Sequence, residues 1–241
     1  MDLTESVLGD QYMIDRYKMI IWAKPKEESL EEQVDCVYGV LNKLREYKLF
    51  NELLLPARSK KEVEVFDISE KSIESLILCK QNKKYKNLGT QLSFFTSLDE
   101  EKSLSIDFSV GRSNGKFNNT MVISLPINFT SSKLIGSIGL LKDLIKKYKA
   151  FYACFTSNMN LKKYDNFYDF NNQIPKVVFW VNYWGEDIIN NFKINEKMLE
   201  TVYEYEVLKD SCYIRLQKEP IDAFNNQHME FQNKINRMLN L

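Results

Sequence analysis

At 241 residues, with 44% hydrophobic and 13% aromatic content, the chain has the material for one sizeable core and is excluded from the disordered class. Lys+Arg and Asp+Glu each number 33, so the formal net charge is zero. That balance argues against a nucleic-acid binder, whose affinity comes from neutralising phosphates with an excess of cations. Four cysteines (Cys36, Cys79, Cys154 and Cys212) stand far apart with no Cys-x-x-Cys pair, which argues against a disulfide framework and predicts buried thiols.

In chain order, residues 1–14 are expected to form a flexible arm and residues 15–241 a single domain. Arg16–Ala23 places Tyr17, Met19 and Ile21 on one side and Ile20 and Trp22 on the other, the pattern of a strand, and Pro25 ends it. Ser29-Leu-Glu-Glu32 is a capping box, and Leu30, Val34, Val37, Leu41 and Leu44 follow at helical spacing. Asn51–Lys61 reads as a connector. Asp67-Ile-Ser-Glu70 resembles a second capping box, with Ile73, Leu76 and Ile77 behind it.

Leu88–Pro126 carries the clearest pattern in the chain. Three runs alternate apolar and polar residues: Leu88, Thr90, Leu92, Phe94, then Leu104, Ile106, Phe108, Val110, then Met121, Ile123, Leu125. Side chains in strands repeat with period two, so each run has one dry face. The short connections Ser97–Lys102 and Gly111–Asn118, the second with an Asn114-Gly115 turn, make a meander of antiparallel strands.

Beyond Pro126, Ser131/Ser132 can cap a helix with Leu134, Ile138, Leu141, Ile145 and Tyr148 as its apolar stripe, and Lys142, Lys146, Lys147 and Lys149 crowd its end, where cations complement the helix dipole. Phe151–Thr156 reads as a short strand followed by an irregular loop to Ile174. Val177–Trp184 is apolar on both faces, as a central covered strand would be. Lys197–Leu208 fits either a helix or a strand pair, and Cys212–Gln217 alternates as a strand. In the last segment Phe224, His228, Phe231, Ile235 and Met238 share one helix face. No repeat and no Gly/Ser linker divides the chain, so the expected fold is α+β: mainly antiparallel sheet, a central meander, and several helices packed on it.

Catalytic motifs are sparse. Gly136-Ser-Ile-Gly139 lies in an apolar helix and lacks the Lys or third Gly of a phosphate-binding loop. The single histidine, His228, rules out a multi-histidine metal site, and its apolar stripe favours a packed histidine over a catalytic base. Glu100-Glu-Lys102 with Asp107 fits part of a metal-dependent nuclease pattern, but that chemistry needs the carboxylates and lysine on adjoining strands around one metal, whereas these residues fall at a hairpin tip. No cofactor or small-molecule substrate is expected, and no uninterrupted apolar stretch reaches membrane length. With an acidic N-terminus lacking a signal-like apolar run, the expected location is cytoplasmic.

Several segments together resemble the immunity protein 52 family of bacterial polymorphic-toxin systems. They are Ile21-Trp22 with Glu28-Ser-Leu-Glu-Glu after a short turn, Leu88–Phe94, Ser105–Gly111, Met121–Pro126, Pro175–Trp184, and Pro220–His228 before a terminal helix. The Arg58–Asn87 and Asn158–Asn172 segments match the family poorly. The resemblance implies a cytoplasmic antidote, not an enzyme, that binds and neutralises a cognate toxin of a contact-dependent or type VI secretion system, often a nuclease. A nuclease cleft that grips phosphates is basic, so the expected contacts are the acids Glu27, Glu28, Asp99, Glu100, Glu101, Glu186 and Asp187, with Tyr183 or Trp184 as anchors. The alternatives are a scaffold protein with no toxin, or a nuclease using Glu100, Lys102 and Asp107.

Overall fold

The computed structural model describes residues 15–56, 63–164, 166–169, 172–192 and 194–241; the expected arm at residues 1–14 lies outside the described residues. In chain order the elements are β1 (Tyr17–Ala23), α1 (Leu30–Glu46), β2 (Leu53–Leu55), β3 (Glu64–Phe66), α2 (Glu70–Lys80), β4 (Leu88–Phe95), β5 (Ser105–Arg112), β6 (Asn119–Ser124), α3 (Ser131–Gly136), α4 (Ile138–Lys147), β7 (Tyr152–Ser157), α5 (Asn158–Lys162), β8 (Tyr168–Asp169), β9 (Ile174–Pro175), β10 (Val181–Gly185), α6 (Glu186–Ile189), α7 (Glu196–Leu199), β11 (Glu204–Leu208), β12 (Ser211–Arg215) and α8 (Asn226–Leu239). Ten strands form one sheet in the order β11-β12-β10-β7-β1-β6-β5-β4-β2-β3, and every pairing in it is antiparallel. The fold is α+β.

The meander β4–β5–β6 forms as its alternation dictates: Leu92, Phe94, Ile106, Phe108, Met121 and Ile123 are all buried. β1 lies between β6 and β7, so both its edges are paired, and the burial of the consecutive residues Met19, Ile20, Ile21 and Trp22 shows that both its faces are covered. On one face α1, α2 and α4 form a helical layer. α1 starts at the expected capping box, with Ser29 Oγ accepting from Glu32 N at 3.1 Å and Glu32 Oε2 accepting from Ser29 N at 2.8 Å. On the other face Trp22 stacks on Tyr152 (ring centroids 4.7 Å apart) and on Tyr168 (5.4 Å), so the small β8–β9 ladder covers this face.

Several local expectations need correction. The connector at Asn51–Lys61 contains β2, which joins the sheet at Phe95 because its Leu53 is apolar enough to bury. α2 begins two residues later than the capping-box pattern suggested: Ser69 is the cap and accepts from Ser72 N. The helix after Pro126 breaks at Ser137, whose hydroxyl bonds back to Lys133 O and leaves two shorter helices. Val177–Trp180 is buried but is not strand, so β10 starts only at Val181. Lys197–Leu208 divides between the end of α7 and β11. α8 turns a mixed face inward, burying Gln232, Ile235, Asn236 and Leu239, while Phe224 is 66% exposed.

Candidate partner-binding surface

Seven residues of β1 at about 3.3 Å each separate the two ends of the sheet by roughly 20 Å, and this distance sorts the acidic candidates. Ala23, Asn119, Arg112, Tyr152, Gly185, Ser211 and Leu208 mark one end, as the registers require. Tyr17, Ser124, Ser105, Phe95, Val181, Arg215 and Glu204 mark the other. Glu27, Glu28, Glu186 and Asp187 therefore belong to the first end. Asp99, Glu100 and Glu101, in the turn between β4 and β5, belong to the second, where Arg16 bonds to the Glu100 carbonyl at 2.5 Å. The structure does not bring the two acidic sets together.

At the first end, Glu186 and Asp187 open α6 immediately after β10, and both are exposed. Lys24 pairs with Asp187 at 2.5 Å, which ties the exit of β1 to α6. Glu27 is exposed, whereas Glu28 is half-buried, its Oε2 accepting from Gly111 N at 3.2 Å. Tyr183 is half-buried. Trp184 is not a surface anchor. It is fully buried and packs edge-on against Phe192, ring centroids 4.9 Å apart. Neighbouring strand residues point to opposite faces, so Tyr183 and Trp184 could never both face a partner.

Tyr183 leads to a feature that the residue patterns did not single out. It lines a cavity of about 290 Å³ between α4 and the β10–β12–β11 side of the sheet, together with Lys142, Lys146, Lys149, Tyr213 and Leu208. The registers place Tyr183, Tyr213 and Glu206 side by side on one face, the face that α4 covers. Lys142 bridges α4 to β11: its Nζ lies 3.1 Å from Glu204, 3.9 Å from Glu206 and 4.0 Å from the centroid of the Tyr213 ring. Burial holds the Tyr213 hydroxyl well above the usual phenol range, with Glu204 adding to the effect, and that hydroxyl is buried without a hydrogen-bond partner among the described residues. From the second end Arg215, itself buried, pairs with Glu204 at 3.4 Å and stacks under Tyr203 with its guanidinium 4.7 Å from the ring centroid. The one available sign of this clamp was an arginine inside the apolar run of Cys212–Gln217.

β11 closes this side of the sheet and is exposed along most of its length: Tyr205 is 50%, Val207 48% and Leu208 58% accessible. Large exposed apolar side chains in a row on an edge strand are a feature that proteins usually suppress.

The nuclease alternative gains no geometry. Lys102 pairs with Asp99 at 3.0 Å, while Asp107 accepts from Ser93 Oγ at 2.7 Å across the β4–β5 ladder. No group of three or more His, Cys, Asp or Glu residues suited to a metal ion occurs among the described residues. His228 Nδ1 accepts from Asp222 N at 3.1 Å, helping to hold the turn that leads into α8.

No protein-family model matches the sequence and no curated protein matches it. A solved structure does. The chain is similar in fold to a Pseudomonas aeruginosa T6SS protein, with a TM-score of 0.61 and 10% sequence identity, over 93% of this chain and 73% of that one. At this identity the likeness establishes a shared fold. Among the described residues no helix is long and apolar enough to cross a membrane.

Proposed function

We propose that this chain is an immunity protein of the immunity protein 52 type, which binds and neutralises a secreted toxin as a stoichiometric inhibitor that performs no chemistry of its own. The observation that carries the reading is the fold shared with a T6SS protein across nearly the whole chain, which agrees with the family resemblance of the sequence. The cognate toxin would be a nuclease effector of a type VI or related system, met in the cytoplasm. A rigid ten-stranded sheet with an exposed apolar edge beside an acidic end suits this role. Inhibition by occlusion needs a preformed surface of about 800 Å² per partner, and rigidity limits the entropy lost on binding.

The test is co-expression of this chain with the toxin encoded by the neighbouring reading frame. Restored growth together with a co-purifying complex supports the reading. Unrelieved toxicity with no complex, from a chain that is folded and expressed, rejects it.

A further inference from the structure

We propose that the outer edge of β11 captures an extended segment of the toxin as an eleventh strand, and that an acidic side chain of that segment enters the lysine-walled cavity beside it. The inference rests on the antidote reading and specifies where and how the partner is held.

The hydrogen-bond alternation of the sheet fixes which backbone groups are available. Leu216 N donates to Trp180 O at 2.9 Å. In an antiparallel ladder the bonding direction alternates residue by residue, so Cys212 and Ile214 address β10, while Ser211, Tyr213 and Arg215 address β11. Their partners Leu208, Glu206 and Glu204 therefore bond inward, and Tyr205 and Val207 direct their N–H and C=O groups outward. Beyond them the sheet holds no further strand among the described residues. An added strand would meet matched donors and acceptors, with the Tyr205 and Val207 side chains flanking it.

The charge of the cavity selects the occupant. Lys142 is satisfied by Glu204 and Glu206. Lys146 and Lys149 line the same cavity, are exposed, and form no ion pair among the described residues. With the unpartnered Tyr213 hydroxyl nearby, the site favours a carboxylate carried on an apolar stem that can lie along Leu208 and Ile145. A second copy of this chain fits poorly: a two-fold pairing of β11 with itself centred on Glu206 or on Tyr205 would set Glu206 against Glu206 or against Glu204, and like charges directly opposite are destabilising. The acidic end at Glu186 and Asp187 continues this surface, because Gly185 pairs with Ser211 and Ser211 with Leu208. The added area extends the contact toward the size a tight complex needs.

Two variants test the placement. Val207→Pro removes an outward N–H at an edge position where proline is tolerated. Lys146→Glu with Lys149→Glu reverses the free charge on an exposed helix end. With thermal unfolding unchanged, each is expected to weaken binding to the co-expressed toxin at least tenfold and to lose growth rescue. Retained affinity and rescue in both would overturn the strand-capture inference and leave the antidote reading standing. A chain that never rescues growth sinks the antidote reading instead. The site is then decided by NMR titration of the full chain with a capped octapeptide of alternating Val and Thr carrying one central Glu, against its Lys counterpart. Saturable shifts at Tyr205, Val207 and Lys146, at least fivefold weaker for the Lys peptide, support the site. Absent shifts, or equal affinity for both peptides, reject it.

Discussion

Asn182 stands in for a missing strand beside Phe179: its Oδ1 accepts from Phe179 N at 2.9 Å and its Nδ2 donates to Phe179 O at 2.8 Å. Val178 is held the same way from α8, its N–H donating to Asn236 Oδ1 at 2.8 Å and its C=O accepting from Gln232 Nε2 at 2.6 Å. Side-chain amides thus satisfy a buried segment that is not part of any ladder, and that segment aims β10 toward the candidate surface.

Asn182→Leu keeps the volume and removes both bonds, leaving a buried N–H and a buried C=O without partners. The expected loss is about 3 kcal/mol, from an unmet-group penalty of about 1–3 kcal/mol each, read as a lower urea midpoint at unchanged slope. Asn182→Leu stability equal to the parent's would mean that the Phe179 backbone finds other partners.

Gly89 has φ of +71°, and a Cβ there would lie 2.3 Å from the Val110 carbonyl oxygen. Gly89→Ala is expected to lose about 2 kcal/mol, since left-handed backbone in a non-glycine residue alone costs about 1–3 kcal/mol and the obstructing atom is backbone. Thermal unfolding measures it. Gly115→Ala, whose Cβ would meet open space, is the control and should leave the transition in place.

Cys79 is exposed, whereas Cys154 and Cys212 are buried. A colorimetric thiol reagent should label Cys79 quickly in the native protein and the other two only on unfolding. Burial also raises the thiol pKa values, that of Cys36 from 9.0 to about 12 and that of Cys212 from 9.0 to about 12. The unfolded chain then loses these protons near pH 9 while the folded chain keeps them, so stability is full below that pH and falls as pH rises toward 12. A urea midpoint that stays level from pH 8 to pH 11 would contradict this.

Because the two acidic sets lie at opposite ends of the sheet, they should differ in effect. Glu186→Lys with Asp187→Lys is expected to slow toxin association by about tenfold at low salt, as rim charges act mainly through the on-rate. Glu100→Lys with Glu101→Lys should leave it unchanged. Surface plasmon resonance at two salt concentrations separates these outcomes, and equal effects from both pairs would place the interface elsewhere.

Much of the architecture was legible because short-range rules governed it. The alternation through Leu104–Val110, the capping box at Ser29 and the stripe through Leu41 and Leu44 each report burial directly, and the sheet and helical layer follow. What escaped depended on distant partners. Val177–Trp180 has the composition of a strand, yet at Val178 and Phe179 the backbone bonds go to Asn182, Gln232 and Asn236, which no local period reveals. For the same reason α8 buries two amides that a hydropathy stripe would turn outward. The acids of the candidate surface were visible as residue types. Their division between two ends, the burial of Trp184 and the cavity beside Tyr183 came only from strand order.

That order places the earliest described strand, β1, between β6 and β7, with Lys18 opposite both Ser124 and Thr156. The middle of the sheet therefore stays open until the ribosome has delivered more than half of the chain, and closing it requires contacts far apart in sequence, which fold slowly. On the proposed antidote reading, a standing pool of mature molecules would then guard a cell sooner than synthesis begun after a toxin arrives.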